Sequence, residues 1–257
     1  METTTPKRQR YGMVIDLDRC NGCGACAVAC AVENNVPPAH QQANTRNAVS
    51  LMNVSAVSNH EQFPAGDTAY IPMFCQQCEN ETPCMTVCPQ NAVDVDPVTG
   101  IVGQVPQRCL GCRYCMTACP YHARTFNWRD PEWTDGMKAQ LNPAVAPRMR
   151  GVVEKCNFCH GRLHAAREKA AAAGRNEIDP ADYVPACVAS CPTNAITFGD
   201  LNDEESDVCR LSKSDGAFRF LARLGTEPKV YYHTTKPWVR ALAERSLTRT
   251  RQEEFHG

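Results

Sequence analysis

Seventeen cysteines in 257 residues limit what this chain can become more than any other feature. They are not scattered. Cys20, Cys23, Cys26 and Cys30 spell C-x2-C-x2-C-x3-C, and Cys75, Cys78, Cys84 and Cys88 spell C-x2-C-x5-C-x3-C ahead of Pro89. Cys109, Cys112, Cys115 and Cys119 repeat the first spacing ahead of Pro120. Cys156 and Cys159 form a C-x2-C, which Cys187 and Cys191 complete much later as a C-x3-C ahead of Pro192. Cys209 is left over. An internal repeat of this kind governs the architecture before any helix or strand is read.

Three chemistries use so many thiols: disulfides, zinc and iron–sulfur clusters. Disulfide-dense chains are usually small, secreted and short of core. This one is 43% hydrophobic and 21% charged, enough for a core of its own. Its first residues, METTTPKRQR, carry neither an apolar signal segment nor an Arg-Arg pair, so no export signal is expected there. A net charge of -1 excludes a typical nucleic-acid binder, which needs excess cations to displace counterions from phosphates. A zinc ribbon pairs two C-x2-C knuckles, and the fourth group alone could pass for one. The other three groups crowd their cysteines into a three-plus-one rhythm that a single tetrahedral ion does not need.

That rhythm suits a cubane. Three thiolates two residues apart wrap one [4Fe-4S] cube, and the fourth, beyond the loop, reaches the neighbouring cube, as in two-cluster ferredoxins. Glycines at 22, 24 and 111 let the loops curl and turn backbone N–H groups toward sulfur. The proline after the last cysteine ends its helical turn, except at Cys30, where Ala31 follows.

The expected fold class is α+β: two nested ferredoxin-like two-cluster modules with long loop insertions and a C-terminal tail. Strand signals are GMVIDLD, YIPMF, ARTFNW, GVVEK and AITFG, with a hairpin at NAVDVDPVTGIVGQV. Residues 68–128 form the inner module, and 10–35 with 150–200 form the outer one across that insertion. Exchange of the last cysteine within each pair predicts four ligand sets: Cys20, Cys23, Cys26 with Cys191; Cys156, Cys159, Cys187 with Cys30; Cys75, Cys78, Cys84 with Cys119; and Cys109, Cys112, Cys115 with Cys88.

Residues 31–69 read as a polar surface excursion, 129–149 as an insertion, and 201–257 as an extension ending in a basic, partner-docking tail. Between Lys236 and Arg251 that tail holds five cations against Glu244. RLHAAREKAAAAG is a helix with a glycine stop at Gly174. His160 and His164 have metal-ligand spacing but read as surface groups, since the patterned cysteines are already paired off. Lys155 and Arg162 flank the fourth group, where their charge could raise a cluster's potential. Cys209 reads as a buried thiol. No nucleotide, phosphate or zinc-protease motif is present, so no catalytic residue is assigned.

The segments MVIDLDRCNGCGACAVACAVEN, YIPMFCQQCENETPCMTVCPQNAV, RCLGCRYCMTACPYHARTFNW, EKCNFCHGR and CPTNAITFGDLND resemble the four-cluster iron–sulfur subunits of the complex iron–sulfur molybdoenzymes. RTFNWRDPEW and RGVVEKC are most similar to quinone-linked members of menaquinone reductase type. The resemblance implies an electron-transfer subunit with four [4Fe-4S] clusters. It implies a molybdopterin-family large subunit, a membrane-integral quinone-binding subunit and a cytochrome c subunit as partners, with no nucleic acid. It also implies a peripheral place on the periplasmic side of the inner membrane, reached by export with a partner. The alternatives are a subunit of a polysulfide, arsenate or DMSO terminal reductase, or a soluble ferredoxin-like subunit of a cytoplasmic oxidoreductase.

Overall fold

The computed structural model describes residues 9–39, 48–146 and 148–244. Its strands are β1 (Tyr11–Asp16), β2 (Met52–Ser58), β3 (Thr68–Phe74), β4 (Thr125–Phe126), β5 (Val153–Glu154), β6 (Ile196–Asp200), β7 (Ala217–Phe218) and β8 (Val230–His233). Its helices are α1 (Ala25–Glu33), α2 (Pro83–Thr86), α3 (Tyr114–Ala118), α4 (Asp135–Lys138), α5 (His160–Ala172), α6 (Ala186–Ala189), α7 (Asp207–Ser212) and α8 (Pro237–Glu244). Short helices and small sheets alternate throughout, a mixed α and β architecture.

The main sheet has the order β6-β1-β8-β7. Strand β1 is buried along almost its whole length because both of its faces are covered. Met13 and Ile15 enter the main core, while Val14 packs with Leu201 and Val208 on the other side. β1 runs antiparallel to β6, with Ile15 opposite Ile196, and parallel to β8, with Met13 opposite Val230. Gly12 permits this closeness: a Cβ there would lie 2.6 Å from the Lys229 carbonyl oxygen. β2 pairs with β3 from Met52–Phe74 to Ser58–Thr68, and β4 pairs with β5.

Two sequence expectations change here. The stretch 31–69 is not only a surface excursion, since M-N-V-S-A-V-S forms β2, which pairs antiparallel with β3 and turns Met52, Val54 and Val57 to the main core. Nor is 201–257 only an extension, because β7 and β8 complete the main sheet. The docking tail beyond Glu244, like the chain start, lies outside the described residues. The segment 129–149 folds over the end of α1: Asn35 Nδ2 donates to the carbonyls of Asn142 and Val145, each at 2.9 Å, and Arg148 Nε donates to that of Asn34 at 2.7 Å.

The core is aromatic. Tyr11 stacks on Phe198 with centroids 5.4 Å apart, and Tyr183 meets Phe198 edge-on at 5.1 Å. The Tyr232 hydroxyl, fully buried, donates to the Pro72 carbonyl at 2.9 Å and accepts from Gln76 Nε2 at 3.1 Å, tying β8 to the end of β3. Tyr232→Phe removes both of these buried hydrogen bonds, a loss of about 1–3 kcal/mol. A lower melting midpoint at unchanged iron content is the expected result. An unchanged midpoint contradicts it.

Candidate metal centres

All seventeen cysteines are free thiols, and twelve of them line three hollows, each drawn from two separate parts of the chain. Three sets wall hollows of similar size. Cys20, Cys23, Cys26 and Cys191 line one of about 320 Å³. Cys75, Cys78, Cys84 and Cys119 line one of about 340 Å³, and Cys88, Cys109, Cys112 and Cys115 one of about 310 Å³. The remaining set is the most deeply enclosed. There Cys156 is surrounded by Cys30, Cys187 and Cys159, and burial followed by those neighbours pushes its thiol well up.

Local folding explains the exchange. In each C-x2-C-x2-C run the loop curls before a helix that carries the third cysteine, Cys26 on α1 and Cys115 on α3. Gly111 (φ +75°) sits in such a curl, where a Cβ would lie 2.4 Å from the Gly151 carbonyl oxygen. The last cysteine lies a turn beyond. After Cys88, Cys119 and Cys191 the chain repeats C-P-x-N/H-A, with Asn91, His122 and Asn194 all at positive φ. This turn aims N–H groups back at sulfur: Ala92 N to Cys88 Sγ and Ala195 N to Cys191 Sγ, both at 3.2 Å. Burial opposes ionisation of Cys88 and Cys191, yet such donors outweigh it and hold both thiols below the usual range. Cys30 differs because α1 continues past it. Asn34, one turn on, approaches its sulfur instead, at 3.7 Å.

Elsewhere the sulfurs oppose their own ionisation. Burial, then Cys159, pushes Cys30 up to about 12, and burial, then Cys75, does the same to Cys78. Four thiolates so placed need a positively charged core. Among the described residues no three cysteine sulfurs come within 4.8 Å of one another. One tetrahedral zinc ion with Zn–S of about 2.3 Å would draw them to about 3.8 Å. Four thiols wrapped by backbone N–H donors suit a polynuclear iron–sulfur group.

The other candidates fall outside these sets. Cys209 is buried on α7, apart from every hollow. His160 and His164 meet edge-on at 5.0 Å on α5 without joining a thiol set, and burial, then His164, holds His160 below the usual histidine range. Arg162 is neutralised by Glu33 at 2.8 Å. The Lys155 ammonium is buried on the carbonyls of Val102 and Cys156. Sequence reasoning passed over Arg124, which lies against two of the hollows, because it follows Cys119 by five residues and looks like an ordinary surface cation. The thrice-repeated C-P-x-N/H-A turn, readable in sequence, was the signal available for these turns.

Comparison with known proteins agrees with this geometry. Residues 67–138 match the family model of a 4Fe-4S dicluster domain, and residues 11–32 match that of a 4Fe-4S binding domain. The chain is 50% identical to the menaquinone reductase iron–sulfur cluster-binding subunit of Nitratidesulfovibrio vulgaris, covering 93% of this chain and 94% of that one. It is 38% identical to a putative dimethyl sulfoxide reductase iron–sulfur subunit of Halobacterium salinarum, covering 92% and 86%. It is 34% identical to the arsenate respiratory reductase iron–sulfur subunit of a Shewanella species, covering 87% and 95%.

Proposed function

Because the chain belongs to the family of 4Fe-4S electron-transfer subunits of reductases that includes the menaquinone reductase subunit, we propose that it carries four [4Fe-4S] clusters and relays electrons to a membrane quinone. In this reading the two nested two-cluster modules hold the four thiol sets described above. A cluster so held supplies one-electron storage at a potential that its surroundings set. The observation that carries the reading is three hollows, each lined by four thiols from two separate cysteine motifs.

The sets lie in a row. Cys26 and Cys30 share one face of α1, one turn apart, and join the first set to the second. Cys156 neighbours Cys75, and Cys115 neighbours Cys84, joining second to third and third to fourth. The terminal sets reach the surface through exposed Cys23 and Cys112, whereas Cys159 and Cys187 of the second set are buried. Exposed apolar side chains flank both ends: Val28 and Val32 on α1, and Leu110, Tyr114 and Trp128 near Cys112. Such patches suit partner subunits. We assign one end to a molybdopterin-family large subunit or its cytochrome c partner, and the other to a membrane-integral quinone-binding subunit on the periplasmic side. Among the described residues no helix is long and apolar enough to cross a membrane.

Anaerobic purification of the native complex tests this. About sixteen irons and sixteen acid-labile sulfides per chain, a dithionite-reducible paramagnetic signal and a membrane-bound partner are expected. Zinc in place of iron, or a colourless protein, overturns it. The dimethyl sulfoxide and arsenate relatives favour a second reading, a terminal reductase subunit. Menaquinol oxidation by the purified complex, in place of menaquinone reduction, would select that one.

A further inference from the structure

The third and fourth thiol sets share one buried cation. Arg124 is 6% exposed and lies on the wall of the Cys75, Cys78, Cys84 and Cys119 hollow. Its guanidinium also faces Cys115 and Cys88 of the adjoining set. Nη1 donates to Gln104 Oε1 at 2.9 Å. Nε and Nη2 make no hydrogen bond of good geometry, alone among the buried side-chain donors of the described residues, and the acceptors nearest the guanidinium are the Cys84 and Cys115 sulfurs.

Unpartnered buried guanidinium donors need an explanation. The other buried cations have one. Lys229 donates to the Gly100 carbonyl at 2.5 Å, Lys155 to two carbonyls, and Arg148 pairs with Glu154 at 2.6 Å. Arg124 has no carboxylate beside it. What surrounds its free donors is sulfur from two sets, and although burial disfavours its charge, Cys84 and Cys115 hold it above the usual arginine range. A guanidinium is planar and forked, so donors on different edges can serve two acceptors at once.

We propose that Arg124 is a potential-tuning residue shared by two neighbouring clusters, its Nε–H and Nη2–H donating to sulfur and its charge favouring the reduced state of both. The inference rests on the reading that these two thiol sets hold [4Fe-4S] clusters. Hydrogen bonds to sulfur and nearby positive charge both raise a cluster's potential. A charge placed between two adjacent sites raises both, so their potentials move together and the difference between them is kept.

The test uses the native complex with Arg124→Met and Arg124→Lys, read by iron content and by redox titration followed by electron paramagnetic resonance. With iron retained, Arg124→Met makes reduction of two clusters at least tenfold less favourable, about 59 mV for one electron, and leaves the other two unmoved. Arg124→Lys keeps the charge and loses the fork, so it shifts them less. Guanidino-15N arginine gives a second readout: the parent shows a 15N hyperfine coupling to a reduced cluster that Arg124→Lys lacks. Full iron with unmoved potentials in Arg124→Met overturns the proposal. If that variant loses iron, the coupling decides, and its absence from the parent overturns the proposal equally. A parent without iron–sulfur clusters would instead sink the cluster reading beneath it.

Discussion

Removing iron from the purified protein with chelator and ferricyanide will unfold most of the chain. The cysteines are core residues: Cys26, Cys30, Cys78 and Cys187 belong to the main hydrophobic cluster, and Cys84 and Cys115 to a second one with Val93, Val102 and Val153. Helices α2, α3, α4 and α6 have four or five residues each, far below the length at which a helix holds itself. Strands β4 and β5 have two residues each. Between 75 and 128, therefore, the thiolate–metal bonds join segments that have little other means of staying together. Without iron, thiols that burial pushes up to about 12 at Cys30 and Cys78 stay protonated and line hollows with nothing to bind. A chain of this size has about 5–15 kcal/mol of net stability, and losing four polynuclear crosslinks exceeds it. Visible absorbance and far-UV circular dichroism are expected to fall together, with protease cutting first between 75 and 128. A protease-resistant apo chain with native circular dichroism would show that the polypeptide packs without its clusters.

Much of this was legible because cluster ligation is written in short spacings. The four cysteine groups stand out by their short spacings, and the strands at GMVIDLD, YIPMF and AITFG appear as β1, β3 and β6. Local signals carried these. What escaped was long-range. β8 is four residues of V-Y-Y-H, and its place beside β1 depends on a parallel pairing across more than two hundred residues that no turn or periodicity announces. β2 alternates correctly, but its polar residues sit in an Asn- and Gln-rich stretch and resemble loop. Charge was misjudged for the same reason. Arg162 is next to the fourth motif in sequence and is spent on Glu33, whereas Arg124, beyond the third motif, faces sulfurs of both inner sets. Sequence proximity tracks loop chemistry well and electrostatics poorly, because a guanidinium acts on whatever the fold brings to its far end.

Replacing Cys30 with alanine will damage the cluster held by Cys156, Cys159 and Cys187, and spare the one held by its sequence neighbours Cys20, Cys23 and Cys26. The side chains of Cys26 and Cys30 leave α1 on one face yet belong to different groups. Cys26 is next to Cys20 and Cys191, whereas Cys30 is next to Cys159. Cys88 makes the parallel case: it sits among Cys109, Cys112 and Cys115, so Cys88→Ala will damage that site and spare the set around Cys75. Each variant should retain about twelve to fifteen irons per chain, according to whether its site empties or keeps three. Resonance spectra should lose a different signal in each. The Cys30 site lies inside the row and the Cys88 site at its end. Cys30→Ala therefore divides the row, leaving the first set reducible from its own end and the last two from theirs, while Cys88→Ala shortens it. Quinone-linked turnover should cease in both. Only Cys30→Ala should leave reducible clusters stranded on both sides of the break, so that a donor acting at one end fills one set and a donor at the other fills two. Loss of the Cys20 signal on replacing Cys30 would mean that each motif closes its own cube, and the exchanged arrangement would be wrong.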